Sequence, residues 1–108
     1  TTVRLDGGSG VGGRAQEMGV AFASAMREYA PDRLWAALIG GTDGRDGPTD
    51  AAGAIITSDH AFDMARAAAA LAAHDCHPFL ESCRALLRVA PTGTNLGDIA
   101  IFIVGGET

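Results

Sequence analysis

The sequence predicts a single-domain α/β fold: one layered domain with a mostly parallel or mixed sheet flanked by helices. Three observations predict it. Strand-like apolar stretches alternate along the chain with stretches of helical periodicity. Leu34 to Ile39 is a continuous apolar run of strand length, as expected of a strand buried on both faces. The chain has 108 residues, 47% hydrophobic and 19% charged, which suits one domain with one core rather than a disordered segment.

Taken in order, Thr1 to Asp6 alternates around a β-branched valine and reads as a short strand. Gly7 to Gly13 is a glycine-rich turn. A helix is expected from about Arg14 to Ala30, with Met18, Phe22, Ala25, Met26 and Tyr29 forming its buried stripe. Pro31 ends it, because the residue before proline avoids the α region. After the strand at Leu34–Ile39, Gly40 to Asp50 is a second glycine-rich loop. Ala51 to Thr57 suggests a short helix leading into a strand through Ile55 and Ile56. Ser58 or Asp59 can cap the next helix, which runs to about Ala73. Its many alanines predict close packing against a neighbour. His74 to Leu87 is read as another helix, with Pro78 tolerated near its start. Leu87 to Ala90 suggests a strand, Pro91 to Asp98 a polar loop, and Ile99 to Val104 the strongest strand of the chain.

Charge excludes several functions. The net charge is −5, which argues against a nucleic-acid or anionic-membrane surface. All eight basic residues are arginine, so the lysine of a P-loop or of a Schiff base cannot come from this chain. No apolar run has the length of a membrane span and no signal peptide is visible, so a cytoplasmic location is expected, with Cys76 and Cys83 as reduced thiols. The chain opens on Thr1 rather than methionine and reads as a piece of something longer.

Three loops carry the candidate chemistry. The first contains G-x-G-x-x-G at Gly8, Gly10 and Gly13, between an expected strand and an expected helix. Its glycines, Gly10, Gly12 and Gly13 among them, let backbone approach an anion at a helix N-terminus, and Arg14 can hold phosphate or carboxylate in a bidentate manner. The same glycines also suit an ordinary flexible turn. The first acid after the next strand is Asp43, too distant for a dinucleotide fingerprint.

The second loop, with Thr42, Asp43, Asp46 and Asp50, leaves the carboxyl end of a strand, where ligands of α/β sheets gather. Its clustered carboxylates call for a cation or hydrogen bonds. Magnesium with a substrate phosphate would serve, held by Asp43 and Asp46, while Asp50 reads as a helix cap. An EF-hand is excluded by Arg45 and Gly47 at the third and fifth positions. In the third loop, Thr92, Gly93, Thr94 and Asn95 offer hydroxyls, an amide and free backbone N–H groups to phosphate or sugar-acid oxygens.

His74, Cys76, His77 and Cys83 fit no zinc spacing, and zinc is not expected. Glu17 favours the helix N-terminal charge, His60 reads as a surface residue near a helix start, and Trp35 as core or interdomain packing.

The loops taken together resemble a known family. Gly12-Gly13-Arg14-x-Gln16-Glu17 is similar to its G-G-R-N-Q-E. Residues 41–54 are similar to its G-T-D-G-x-D-G-P-T-D-A-A-G-A, and Pro91-Thr92-Gly93-Thr94-Asn95-Leu96-x-Asp98 to its P-T-G-T-N-V-N-D. The family is the C-terminal (MOFRL) domain of glycerate 2-kinases, historically also labelled hydroxypyruvate reductases.

The resemblance implies a two-domain enzyme that moves a phosphoryl group from ATP to the 2-hydroxyl of D-glycerate, with magnesium. Its cleft would lie between this domain and a larger N-terminal glycerate kinase domain of the same parent chain. The chain would be a half-site, close to inactive alone, with Arg14, Asp43 and Asp46 as its catalytic groups. A homo-oligomer is left open. Ala15, Ala90 and Gly97 depart from the family pattern, and its N-D-S-Y-like stretch reads here as His74-Asp75-Cys76-His77. Gly105-Gly106-Glu107-Thr108 with Thr2-Val3 echoes the family's G-G-E-T-T-V in two pieces, so a cut or permuted chain is left open. The alternative functions are an oxidoreductase acting on hydroxypyruvate and a non-catalytic anion-binding module.

Overall fold

The first helix, α1 (Arg14–Tyr29), starts where Gly13 leaves extended backbone and ends where Ala30 donates to the Met26 carbonyl at 2.9 Å, just before Pro31. The structure is a computed structural model that describes residues 12–41, 51–88 and 98–107. The buried face of α1 is made of Ala15, Gln16, Gly19, Val20 and Ala23, with Phe22 and Met26 packed beside them. This corrects the expected stripe, since Met18 is 45% and Tyr29 79% exposed. Small residues form the contact because the helix lies almost on the sheet. A Cβ at Gly19 would stand 2.7 Å from the Ala54 Cβ.

The sheet holds β1 (Arg33–Gly41), β2 (Gly53–Thr57), β3 (Leu86–Leu87) and β4 (Asp98–Glu107), in the order β3-β2-β1-β4. The α/β class is as expected, and every described pairing is antiparallel. Parallel neighbours need a crossover of a dozen or more residues, and residues 42–52 between β1 and β2 are too few for one. Burial alternates along β1: Trp35, Ala37 and Ile39 face the helices, whereas Ala36 and Leu38 on the other face are half-buried. Among the described residues, helices therefore cover the apolar run at 34–39 on one side only, not on both. Register puts Ile55, Ile99, Ile101 and Ile103 on that second face with Leu38, and all four are exposed. The molecule is 18 Å thick along its shortest axis, the depth of one helix layer on one sheet.

The segment 51–52 is extended, not helical, and leads straight into β2. Ser58 does not cap a helix; its hydroxyl accepts from Trp35 N at 3.2 Å. His60 is half-buried in the turn after β2, where its Nδ1 accepts from Thr57 N at 2.9 Å. The cap of α2 (Met64–Ala72) is Asp63, whose carboxylate accepts from Ala65 N and Arg66 N at 3.0 and 3.1 Å. The last expected helix is shorter than its sequence suggests. It spans α3 (Cys76–Ser82), and the chain then turns through Arg84 (φ 59) into β3.

The core joins α1, α2 and α3 to the helix-facing side of the sheet through Val20, Trp35, Ile56, Ala67, Phe79 and Leu80. Phe22 meets Trp35 edge-on at 5.4 Å and Phe102 at 4.5 Å, which seats β4 against α1. Trp35 is thus core. Cys76 is buried and Cys83 half-buried, and the two are not joined by a disulfide. No helix of the described residues is long and apolar enough to cross a membrane.

Candidate functional site

The direction of α1 sets the geometry. Gly19 lies over Ala54 and Ile39. Two turns on, the Arg27 guanidinium donates to the Ser58 and His60 carbonyls at 3.3 and 2.6 Å and stacks over Phe62 at 4.9 Å. The helix therefore runs from the Gly40–Gly53 end of the sheet to the Trp35–Thr57 end. Its N-terminus, with Gly12, Gly13 and Arg14, stands at the first of these ends.

The other two loops spring from the same end. β1 leaves it at Gly41, where the second loop begins, and Gly41 N donates to the Ala52 carbonyl at 2.9 Å where that loop returns. Asp98, the first residue of β4 after the third loop, is the register partner of Gly41. Ala52 N donates to the Leu87 carbonyl at 2.7 Å, so the strand that leads to the third loop is tied in as well. Gly53 lies opposite Gly40, and a Cβ on Gly53 would meet Gly40 Cα at 2.8 Å, so this corner is built by close backbone approach.

Of the residues singled out from sequence, Gly12, Gly13 and Arg14 are described. Gly12 and Gly13 are buried and Arg14 is exposed at the start of α1. Gly10, Thr42, Asp43, Asp46, Thr92, Gly93, Thr94 and Asn95, and Asp50 with them, lie outside the described residues. Among the described residues no group of three or more His, Cys, Asp and Glu side chains could hold a metal ion. An open groove of about 370 Å³ runs along the bare face of the sheet at this end, lined by apolar residues such as Leu38, Leu87, Ile99 and Ile101.

Glu17 does more than place charge at the helix start. Its carboxylate meets His74 Nδ1 at 2.8 Å, across from the turn between α2 and α3. No local pattern signals this pair, whose members are 57 positions apart.

Comparison with known proteins bears on this arrangement. The MOFRL family model matches residues 1–98. Glycerate kinase of Homo sapiens is 43% identical over 107 residues, covering 90% of this chain and 20% of that protein. D-glycerate 2-kinase of Thermotoga maritima is 38% identical over 101 residues, covering 90% of the chain and 24% of that protein. The crystal structure of glycerate kinase from Thermotoga maritima superposes with a TM-score of 0.74 at 31% identity, over 96% of this chain and 24% of that one. The chain thus spans about a quarter or less of the length of these relatives.

Proposed function

Because the chain belongs to the MOFRL family, we propose that it forms one wall of the active-site cleft of a glycerate 2-kinase, which transfers a phosphoryl group from ATP to the 2-hydroxyl of D-glycerate. The observation that carries this reading is the shared origin of the three loops: Arg14, Gly41 and Asp98 stand at one end of the fold. Loops rooted together can surround one small anion, and catalysis of phosphoryl transfer rests on positioning and charge stabilisation.

In this reading the Gly12–Gly13 turn presents backbone N–H groups to phosphate at the start of α1, where the helix dipole favours negative charge. Arg14, exposed beside it, grips a phosphate or the glycerate carboxylate with its planar fork. Thr42, Thr92, Gly93, Thr94 and Asn95, with Gly10, supply further donors to substrate oxygens. Asp43 and Asp46 hold magnesium, and the fit is one of donor chemistry, since hard cations take carboxylate oxygens. The metal would neutralise charge on the transferred phosphoryl group. The remainder of the cleft, with the general base, comes from a larger N-terminal domain of the parent protein. A cytoplasmic setting accords with Cys76 and Cys83 not being joined by a disulfide.

The test is a titration of the chain with 2-phosphoglycerate, followed by amide resonances in 1H–15N NMR spectra. Gly12, Gly13 and Arg14 shift saturably, and Arg14→Ala weakens binding by roughly 10- to 100-fold, the worth of a charged hydrogen-bonded contact. Shifts confined to another part of the molecule, or an Arg14→Ala variant that binds as the parent does, would refute the reading.

A further inference from the structure

The turn between α2 and α3 is built to touch the entrance of α1 twice. The first contact is backbone on backbone. A Cβ on Gly12 would stand 3.3 Å from Cys76 N, 3.6 Å from His77 N and 3.7 Å from the His74 carbonyl oxygen, so the glycine turn lies directly on residues 74–77. The second contact is the Glu17–His74 pair at 2.8 Å, with both side chains 26% exposed. An ionised carboxylate only accepts hydrogen bonds, so Nδ1 of His74 carries the hydrogen in this pair.

Both partners are held from behind. His74 adopts a left-handed conformation, φ 53, in which its N–H donates to the Leu71 carbonyl at 3.2 Å while Asp75 N donates to the Ala70 carbonyl at 2.8 Å. Glu17 sits one turn into α1, and its own N–H donates to the Gly13 carbonyl at 3.0 Å. Gly12 and Glu17 are thus two fixed points on either side of Gly13 and Arg14. Backbone packed at Gly12 and a side chain held at Glu17 together fix the direction of the residues between them.

We infer that Glu17 and His74 are positioning residues: their hydrogen-bonded pair orients the Gly12–Gly13 turn and the direction in which Arg14 leaves the helix. The inference rests on the function proposed above, in which this turn and Arg14 meet a phosphorylated sugar acid. A mere brace would serve stability alone. A positioning pair instead governs local order at residues 12–14 and, through it, ligand affinity.

Three variants of the chain separate these outcomes: Glu17→Ala, His74→Asn and Glu17→Gln. Asparagine tolerates the left-handed conformation at position 74, so His74→Asn removes the imidazole without backbone strain. Glutamine at position 17 still accepts from Nδ1. Backbone 15N relaxation reports order at residues 12–14, and titration with 2-phosphoglycerate reports affinity. In Glu17→Ala and His74→Asn, order parameters at 12–14 fall from the rigid value of ~0.85 toward ~0.6 while the rest of α1 is unchanged. Affinity falls about tenfold in the same two variants, and Glu17→Gln recovers most of it.

Unchanged order at 12–14 in both disrupting variants overturns the inference, as does a Glu17→Gln variant as weak as Glu17→Ala. Should Glu17→Ala fail to fold, His74→Asn and Glu17→Gln decide by the same readouts. If the unaltered chain does not bind 2-phosphoglycerate, the proposed function fails, and the relaxation data alone still judge the pair.

Discussion

Replacing Gly19 with alanine sets two physical effects of opposite sign against each other, and the structure says which wins. In the middle of a helix this change ordinarily stabilises by about 1 kcal/mol, because glycine spends more conformational entropy on folding. Here the new methyl would lie 2.7 Å from the Ala54 Cβ, with Ile39 Cδ1 at 3.9 Å behind it. Carbon atoms in contact rest ~3.5–4.0 Å apart, so α1 must rise from the sheet by about 1 Å. Neither Cβ can swing aside, since each is bonded directly to backbone. Overpacking of this kind costs about 1–3 kcal/mol. The balance is a net loss of up to ~2 kcal/mol, with a fall of several degrees in the thermal midpoint, since 1 kcal/mol moves Tm by about 4–8 °C in a domain near this size. Urea and thermal unfolding of Gly19→Ala, Ala54→Gly and the double variant form a complete cycle. The double variant exchanges the methyl from one side of the contact to the other, so its stability exceeds the sum of the single changes by about 1–3 kcal/mol. A rise in Tm for Gly19→Ala alone, or strict additivity in the cycle, would refute the close-approach argument.

Gly53→Ala meets a harder obstacle, because its Cβ would press on the backbone of Ile39 and Gly40, with Gly40 Cα at 2.8 Å; the expected loss is at least about 3 kcal/mol, read as a lowered urea midpoint. Removing the carboxylate that caps α2, by Asp63→Ala, lowers stability by about 1 kcal/mol, whereas Asp63→Asn, which still accepts from Ala65 N and Arg66 N, stays within a few tenths in the same unfolding assay.

Local signals carried the extent of α1, since Gly13 and Pro31 bracket it in both sequence and structure. They also carried the strand at Ile99–Val104, which lies within β4. Where sequence reasoning went astray, tertiary contact decided. Met18 and Tyr29 have helical spacing with Phe22, yet the sheet approaches through Ala15, Gly19 and Ala23, residues too small to register as apolar anchors. The run at 34–39 has the composition of a strand covered on two sides, and only register and burial reveal that, among the described residues, helices pack on one side alone. Ser58, Asp59 and Asp63 all have side chains suited to cap a helix; the hydroxyl of Ser58 is taken by β1, Asp59 lies in the turn after β2, and Asp63 stands directly before α2. At the candidate site, the Gly13–Arg14 entrance to α1 was legible from its motif, and His74 was not, because its partner Glu17 is distant along the chain.

The sheet face that no described helix covers has a thermodynamic consequence. Unfolding a protein raises its heat capacity chiefly by wetting apolar groups that were dry. In this chain Ile55, Ile99, Ile101 and Ile103 are already wet in the native state. The increment per residue is then expected to fall below the usual ~12–15 cal/mol/K, which differential scanning calorimetry reads directly. A small increment flattens the curve of stability against temperature, so this chain approaches both its warm and its cold limits along a gentle slope, with no sharp optimum between them.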